Sequence, residues 1–221
     1  MKKYLQSIIE KIKKRYRHFR QKMHNRAVIQ KWAKAGHPYP PPHEYKQETL
    51  KQYALAYNFD TFIEAGTDLG KMPWELQDNF KKIYTIELNI DKYLNAKERF
   101  HFIEHIDTIK GESSEQLGLL LKSIRFPTLF WLDTNDHLEK GLAEFSIMKE
   151  IKTILDTDYP HVLLIPDARL FNGQRGYPSL IEIRNYISEL RPDYHFEVEN
   201  DIIRSFEEKS EKWPTQNVLT S

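Results

Sequence analysis

Cysteine is absent from this 221-residue chain. That excludes a disulfide framework, a thiolate nucleophile and a cysteine-based zinc site, and it suits a reducing compartment. No apolar run approaches the ~18 residues that read as a membrane span. Residues 1–20 are too basic and too interrupted for a secretory signal, and no small-residue cleavage site follows. Acidic residues are nearly missing from the first 34 positions, where Glu10 is the single acid among 12 Lys/Arg, a net +11. The rest of the chain holds 21 Lys/Arg and 31 Asp/Glu, a net −10, so the overall +1 hides a basic arm joined to an acidic body. Hydrophobic residues make up 40% of the chain, enough for a sizeable core.

In the arm, Leu5, Ile8, Ile9, Ile12, Tyr16, Phe19 and Met23 recur at steps of three and four. That spacing predicts one apolar stripe on an amphipathic helix. Gly36 and the run Pro38-Tyr39-Pro40-Pro41-Pro42 end it, because proline neither donates to a helix nor fits inside one. The expected organisation is therefore a basic helical arm (1–36), a proline-rich linker (37–43), one α/β domain (44–207) and a C-terminal tail (208–221).

Within the domain, short apolar runs alternate with helical periods. Strands are expected at 61–64, 82–87, 106–110, 128–132 and 161–165, with a hairpin at 194–199 and 202–206. Helices are expected at 44–57, after Pro73, at 90–100, from a capping box at Ser113 to about 123, at 138–155 and at 178–190. Alternation of this kind argues for a mostly parallel sheet covered on both faces. Ligands in such folds bind outside the carboxyl ends of the strands. Five acids fall at that edge: Glu64, Glu87, Glu112, Asp133 and Asp167.

The turn after the first strand, Glu64-Ala65-Gly66-Thr67-Asp68-Leu69-Gly70, narrows the ligand. A dinucleotide fingerprint would need glycine at 64 and 69, where Glu64 and Leu69 stand, and a carboxylate there would repel a pyrophosphate. A P-loop comes closer, with Gly70-Lys71 in place. It puts Met72 where a hydroxyl must meet Mg²⁺, and it remains only a lesser alternative. The third pattern is E-x-G-x-x-x-G followed by Glu87, an acid ending the second strand. It suits a nucleoside cofactor that carries a positive charge and no phosphate, because Glu87 has acceptors enough for both ribose hydroxyls. This is the pattern of S-adenosylmethionine (SAM) methyltransferases.

Further motifs extend the match. The chain has Pro40-Pro41-Pro42-His43, Phe62 through Met72, Ile83-Tyr84-Thr85-Ile86-Glu87-Leu88, Gly111-Glu112-Ser113, Phe130-Trp131-Leu132-Asp133 and Pro166-Asp167-Ala168-Arg169-Leu170-Phe171. On these it resembles the class I SAM-dependent methyltransferases encoded with bacterial surface-polysaccharide (capsule or O-antigen) genes, over about residues 38–206. The resemblance implies a Rossmann-like methyltransferase fold with a mostly parallel seven-stranded sheet and a C-terminal β-hairpin. It also implies O-methylation of a sugar hydroxyl of a surface glycan or its precursor. Glu64, Gly66, Thr67 and Gly70 would line the methionine and ribose part of the cofactor, Glu87 would bind the ribose, and Glu112 would sit near the adenine. Asp133 would lie beside the methyl group and the acceptor.

The chain departs from the family in its catalytic half. Asn135 stands where the family has histidine, and Pro166 replaces one of two paired acids. Asp68 replaces a tyrosine, and Lys71 an aspartate. The candidates for removing the acceptor's proton are Asp133, Asp136, His137 and Asp167. Asp133 and Asp167 are also the candidate ligands of a divalent Mg²⁺ ion. Because of these departures, a second reading is a catalytically reduced scaffold subunit of glycan assembly. Three readings are open for the arm: an anionic membrane surface, packing or self-association, and nucleic acid. Nucleic acid ranks last, since the acidic body offers no basic surface to continue such a track. The expected location is cytoplasmic, at the inner face of the membrane.

Overall fold

A computed structural model describes residues 2–133 and 143–207; at 2–15, 17, 18 and 143–146 it describes the backbone alone. The chain divides into two compact units, residues 1–48 and 49–221.

In the first unit, α1 (Lys2–Lys34) is one continuous helix. Its C-terminal half packs on the start of α2 (His43–Tyr57), where Trp32 meets Tyr45 with ring centroids 4.6 Å apart. Asn25 donates to Gln47 (3.4 Å), and the indole of Trp32 donates to the carbonyl of Pro38 (2.8 Å). The turn at Gly36 and His37, both at positive φ, ends α1 where the sequence places the break.

The second unit is built on a seven-stranded sheet. Its strands are β1 (Thr61–Ala65), β2 (Lys82–Glu87), β3 (Ile106–Lys110), β4 (Leu129–Leu132), β5 (Val162–Pro166), β6 (Tyr194–Glu199) and β7 (Ile202–Glu207). Their order is β3-β2-β1-β4-β5-β7-β6. Strands β1 to β5 are parallel, and β7 pairs antiparallel with both β5 and β6. This is the expected parallel sheet with a C-terminal hairpin. The hairpin turns through Asn200 and Asp201, both at positive φ, which is the two-residue turn whose twist matches the flanking strands.

The helices between strands are α3 (Lys71–Leu76), α4 (Ile90–Arg99), α5 (Ser113–Leu120), α6 (Ala143–Leu155) and α7 (Leu180–Leu190). Every residue of β1, β4 and β5 is buried, as a sheet covered on both faces requires. Ile63, Ile86, Phe130, Leu132, Leu163 and Ile165 form the middle of the core, with Ile147 and Ile151 of α6 and Ile183 and Ile187 of α7 packed over them. Trp131 and Phe130 are core residues.

Three local expectations need correction. Glu112, not Ser113, caps α5: its carboxylate accepts from the amide of Glu115 (2.9 Å), while the Ser113 hydroxyl donates to the buried Glu150. Pro73 is the third residue of α3, not the first; its missing N–H is still one that a first turn leaves unused. The helix after Gly176 starts at Leu180, because Ser179 and Glu182 form a reciprocal capping box that fixes the start there. The part of the expected 138–155 helix before residue 143 lies outside the described residues.

Candidate active site

The sheet order reverses direction between β1 and β4, so their carboxyl ends border the crevice where such folds take ligands. At this point the ends of the two strands come very close. The amide of Asp133 donates to the carbonyl of Ala65 (2.9 Å), and a Cβ on Gly66 would lie 2.3 Å from the carbonyl oxygen of Asp133. Gly66 also has φ +94°. Both facts demand glycine, and the close approach is to the protein's own backbone. Gly70, at φ +66°, opens α3 against the ring of Phe100, where a Cβ would come within 2.9 Å.

Glu64 points into this region from β1 and is 2% exposed. Its register partner on β2 is Thr85, whose hydroxyl donates to the Glu64 carboxylate (2.6 Å). The hydroxyls of Thr67 and Thr85 are also 2.6 Å apart. Since Thr85 has one proton and gives it to Glu64, Thr67 must donate to Thr85, and a chain of hydroxyls runs from the turn to the buried acid. Burial raises the pKa of Glu64 well above the usual carboxylate range, the Thr85 hydrogen bond opposes that rise, and the charges of Asp133, Glu87 and Asp68 add to it.

Glu87 ends β2 and is also buried. Its two oxygens accept from the amides of Asp68 (3.0 Å) and Asn89 (2.7 Å), so it ties the turn after β1 to the turn after β2. A carboxylate has about four lone-pair sites, so these two bonds do not exhaust it. Asp68 itself is held by Lys92 at 3.0 Å. Glu112 is half-buried and caps α5, with one oxygen accepting from both Ser114 (2.6 Å) and Glu115.

On the other side of Asp133 the arrangement differs. Asp167 follows β5 with left-handed backbone (φ 58°) and is salt-bridged to Arg169 at 2.8 Å. Arg169 also pairs with Asp201, and its amide donates to the same Asp201 carboxylate (2.8 Å). The hairpin tip is thereby pinned to the loop after β5, and the charge of Asp167 is shared with a guanidinium. Tyr177, 5% exposed, has its ring edge-on to Phe171 and its hydroxyl buried with no hydrogen-bond partner among the described residues. Burial and the nearby carboxylates of Asp167 and Asp133 raise its pKa, which keeps the phenol protonated and able to donate.

The structure thus brings Glu64, Gly66, Thr67, Gly70, Glu87 and Asp133 together around the β1–β4 crevice. Glu112 caps α5 through one of its oxygens, and Asp167 pairs with Arg169. Asp136 and His137, with Asn135, lie outside the described residues. Among the described residues, no three His, Asp or Glu side chains gather in a group able to hold a metal ion. Sequence reasoning missed Thr85, Asp201 and Tyr177. Thr85 could have been found by setting β2 beside β1 in register, and Tyr177 by its place in the Gly176-Tyr177-Pro178 loop on the carboxyl side of the sheet.

The sheet order and hairpin define the Rossmann-like fold of class I SAM-dependent methyltransferases. The fold is shared with an O-methyltransferase of Bacillus cereus solved with S-adenosylhomocysteine (13% identity, TM-score 0.56, covering 83% of this chain and 90% of that one). It is shared too with the O-methyltransferase TomG of Streptomyces achromogenes, involved in tomaymycin synthesis and solved with SAM (15%, 0.54, 82% and 87%). The N-methyltransferase NodS of Bradyrhizobium japonicum is similar over 74% of this chain and 94% of its own (13%, 0.52). No protein-family model matches the chain, and no curated protein matches it in sequence.

Proposed function

We propose that the protein binds SAM at the β1–β4 crevice and transfers its methyl group to a hydroxyl of a sugar, in a surface glycan or its precursor. The observation that carries the cofactor half is the acidic cluster built around the buried Glu64 and Glu87. Burial raises the cost of ionising Glu64, and the charges of Asp133, Glu87 and Asp68 add to it. A ligand with a fixed positive charge and no phosphate relieves that cost, whereas a nucleotide phosphate adds to it. Glu87 offers acceptors to ribose hydroxyls beside the amides it already holds.

When bound, SAM supplies an electrophilic methyl group on a sulfonium. The protein then has to hold the acceptor oxygen in line with it and remove a proton. Asp133, half-buried at the crevice, accepts that proton as the O–CH₃ bond forms and the C–S bond breaks. Tyr177 donates its unused hydrogen bond to an acceptor oxygen. Asp136 and His137 remain candidates for the same proton, and the acceptor being a sugar rests on the family resemblance.

Calorimetry tests the cofactor half. Over the pH range in which Glu64 titrates, SAM binding is expected to release a proton, because a cation lowers the pKa that burial has raised. The release is read by repeating the titration in buffers of different ionisation enthalpy. Glu87→Ala is expected to weaken binding by about 100-fold or more, roughly 2.7 kcal/mol. Binding unchanged in Glu87→Ala would place the cofactor elsewhere. One observation favours a second reading, a SAM-binding scaffold without turnover: Asp167 is held in an ion pair with Arg169 (2.8 Å). SAM binding with no methylation of any glycan acceptor supports it.

A further inference from the structure

The face of α1 opposite the one packed on α2 has no described partner. Tyr16, Phe19 and Met23 are 62%, 61% and 50% exposed. Asn25 lies nine residues from Tyr16, and Trp32 nine from Met23; at about 100° per residue, nine steps end half a turn away. The contacts to Gln47 and Tyr45 therefore use one side of the helix, and the aromatic stripe occupies the other. In sequence the stripe continues toward the N-terminus through Ile12, Ile9 and Leu5, at alternating steps of four and three.

Such spacing can serve a coiled-coil seam, so a second copy of the chain has to be weighed. The charged positions bordering the seam are Lys13 and Arg20 on one side and Arg15 and Lys22 on the other. All are positive. In a parallel or an antiparallel pair of identical helices these borders face each other and repel. The occupant must be apolar where it meets the stripe and negative on both sides of it.

We infer that α1 lies on an anionic lipid surface, with Tyr16, Phe19 and Met23 buried at the headgroup boundary and the flanking Lys and Arg on lipid phosphates. A bilayer offers an apolar layer bordered by negative charge along the whole length of a helix, which matches the stripe and both of its borders. Long basic side chains keep their stems on the apolar layer and their charges in the headgroups. Since no helix among the described residues is long and apolar enough to cross a membrane, α1 would lie in the interface plane.

The test uses the full chain with phosphatidylcholine vesicles containing about 30% phosphatidylserine, and with pure phosphatidylcholine vesicles. Co-sedimentation is expected with the anionic vesicles only, and to fall as salt rises. A triple variant, Tyr16→Ser, Phe19→Ser and Met23→Ser, changes only exposed side chains and should weaken partitioning by about tenfold or more. A second variant, Arg15→Gln with Lys22→Gln, should weaken it while leaving the stripe intact. No binding of the wild type to anionic vesicles overturns the inference. So does binding that the triple variant retains. A dimer in sedimentation equilibrium that the triple variant disperses would make a second copy the occupant, and would overturn it too.

Discussion

The two ends of the sheet bury ionisable groups in opposite ways. At the amino end, His161 precedes β5 and is fully buried. Its Nδ1 accepts from the amide of Thr128 (3.1 Å), its carbonyl accepts from the Tyr194 hydroxyl (3.0 Å), and its ring packs edge-on to Phe130. Burial, helped by the charge of Arg191, lowers its pKa to about 4, so it is neutral and acts as a peg. At the carboxyl end, several carboxylates crowd one crevice and a tyrosine hydroxyl has no partner. The amino end keeps its titratable group neutral, though the His161 Nε2 is buried with no hydrogen-bond partner among the described residues. The other holds charge and hydrogen-bonding capacity that the fold alone does not use, which is the usual mark of a site built for a ligand.

The comparison can be broken at either end. The largest expected effect is Gly66→Ala, where the new Cβ meets the Asp133 carbonyl in a left-handed backbone. We expect a loss of about 3 kcal/mol or more in urea unfolding. A stable Gly66→Ala protein would show that β1 and β4 are not held this close. Next comes the amino end under acid. The folded pKa of His161, about 4, lies below the unfolded value of 6.5. The unfolded chain therefore binds the extra proton first, and stability is lost as pH falls from 6.5 through 4, by about 3 kcal/mol. His161→Asn keeps an acceptor for Thr128 without titrating, and should flatten that part of the profile. Equal slopes for the two proteins would end the argument. The smallest effect is the sharpest contrast. Tyr194→Phe removes a made hydrogen bond and should cost about 1 kcal/mol, whereas Tyr177→Phe removes an unmade one and should be neutral or slightly stabilising. Equal costs would mean that Tyr177 is bonded in solution and that the two ends are alike in this respect.

Much of this was legible in the chain. Strands β2 and β3 fall at the expected 82–87 and 106–110, and the parallel sheet with a terminal hairpin follows from the alternation of elements. Glu64, Gly66, Gly70 and Glu87 were legible because one turn carries them, or two turns a fixed distance apart. Glu112 and Asp167 were harder to judge. An acid after a strand looks the same in sequence whether it meets a ligand, caps the next helix or pairs with an arginine.

By itself the sequence determined the charge division of the chain, the stripe on α1, the strand and helix order, and the acids at one edge of the sheet. Those are properties of spacing and composition, which local chemistry dictates. Only the tertiary structure decided that Gly66 must yield to the Asp133 backbone, and that the Thr85 hydroxyl donates a hydrogen bond to Glu64. It also decided that Asp201 of the hairpin reaches back to Arg169, and that the hydroxyl of Tyr177 lies buried near Asp133 and Asp167. Each of these joins residues far apart in the chain, and such contacts exist only once the sheet has brought its strands into register.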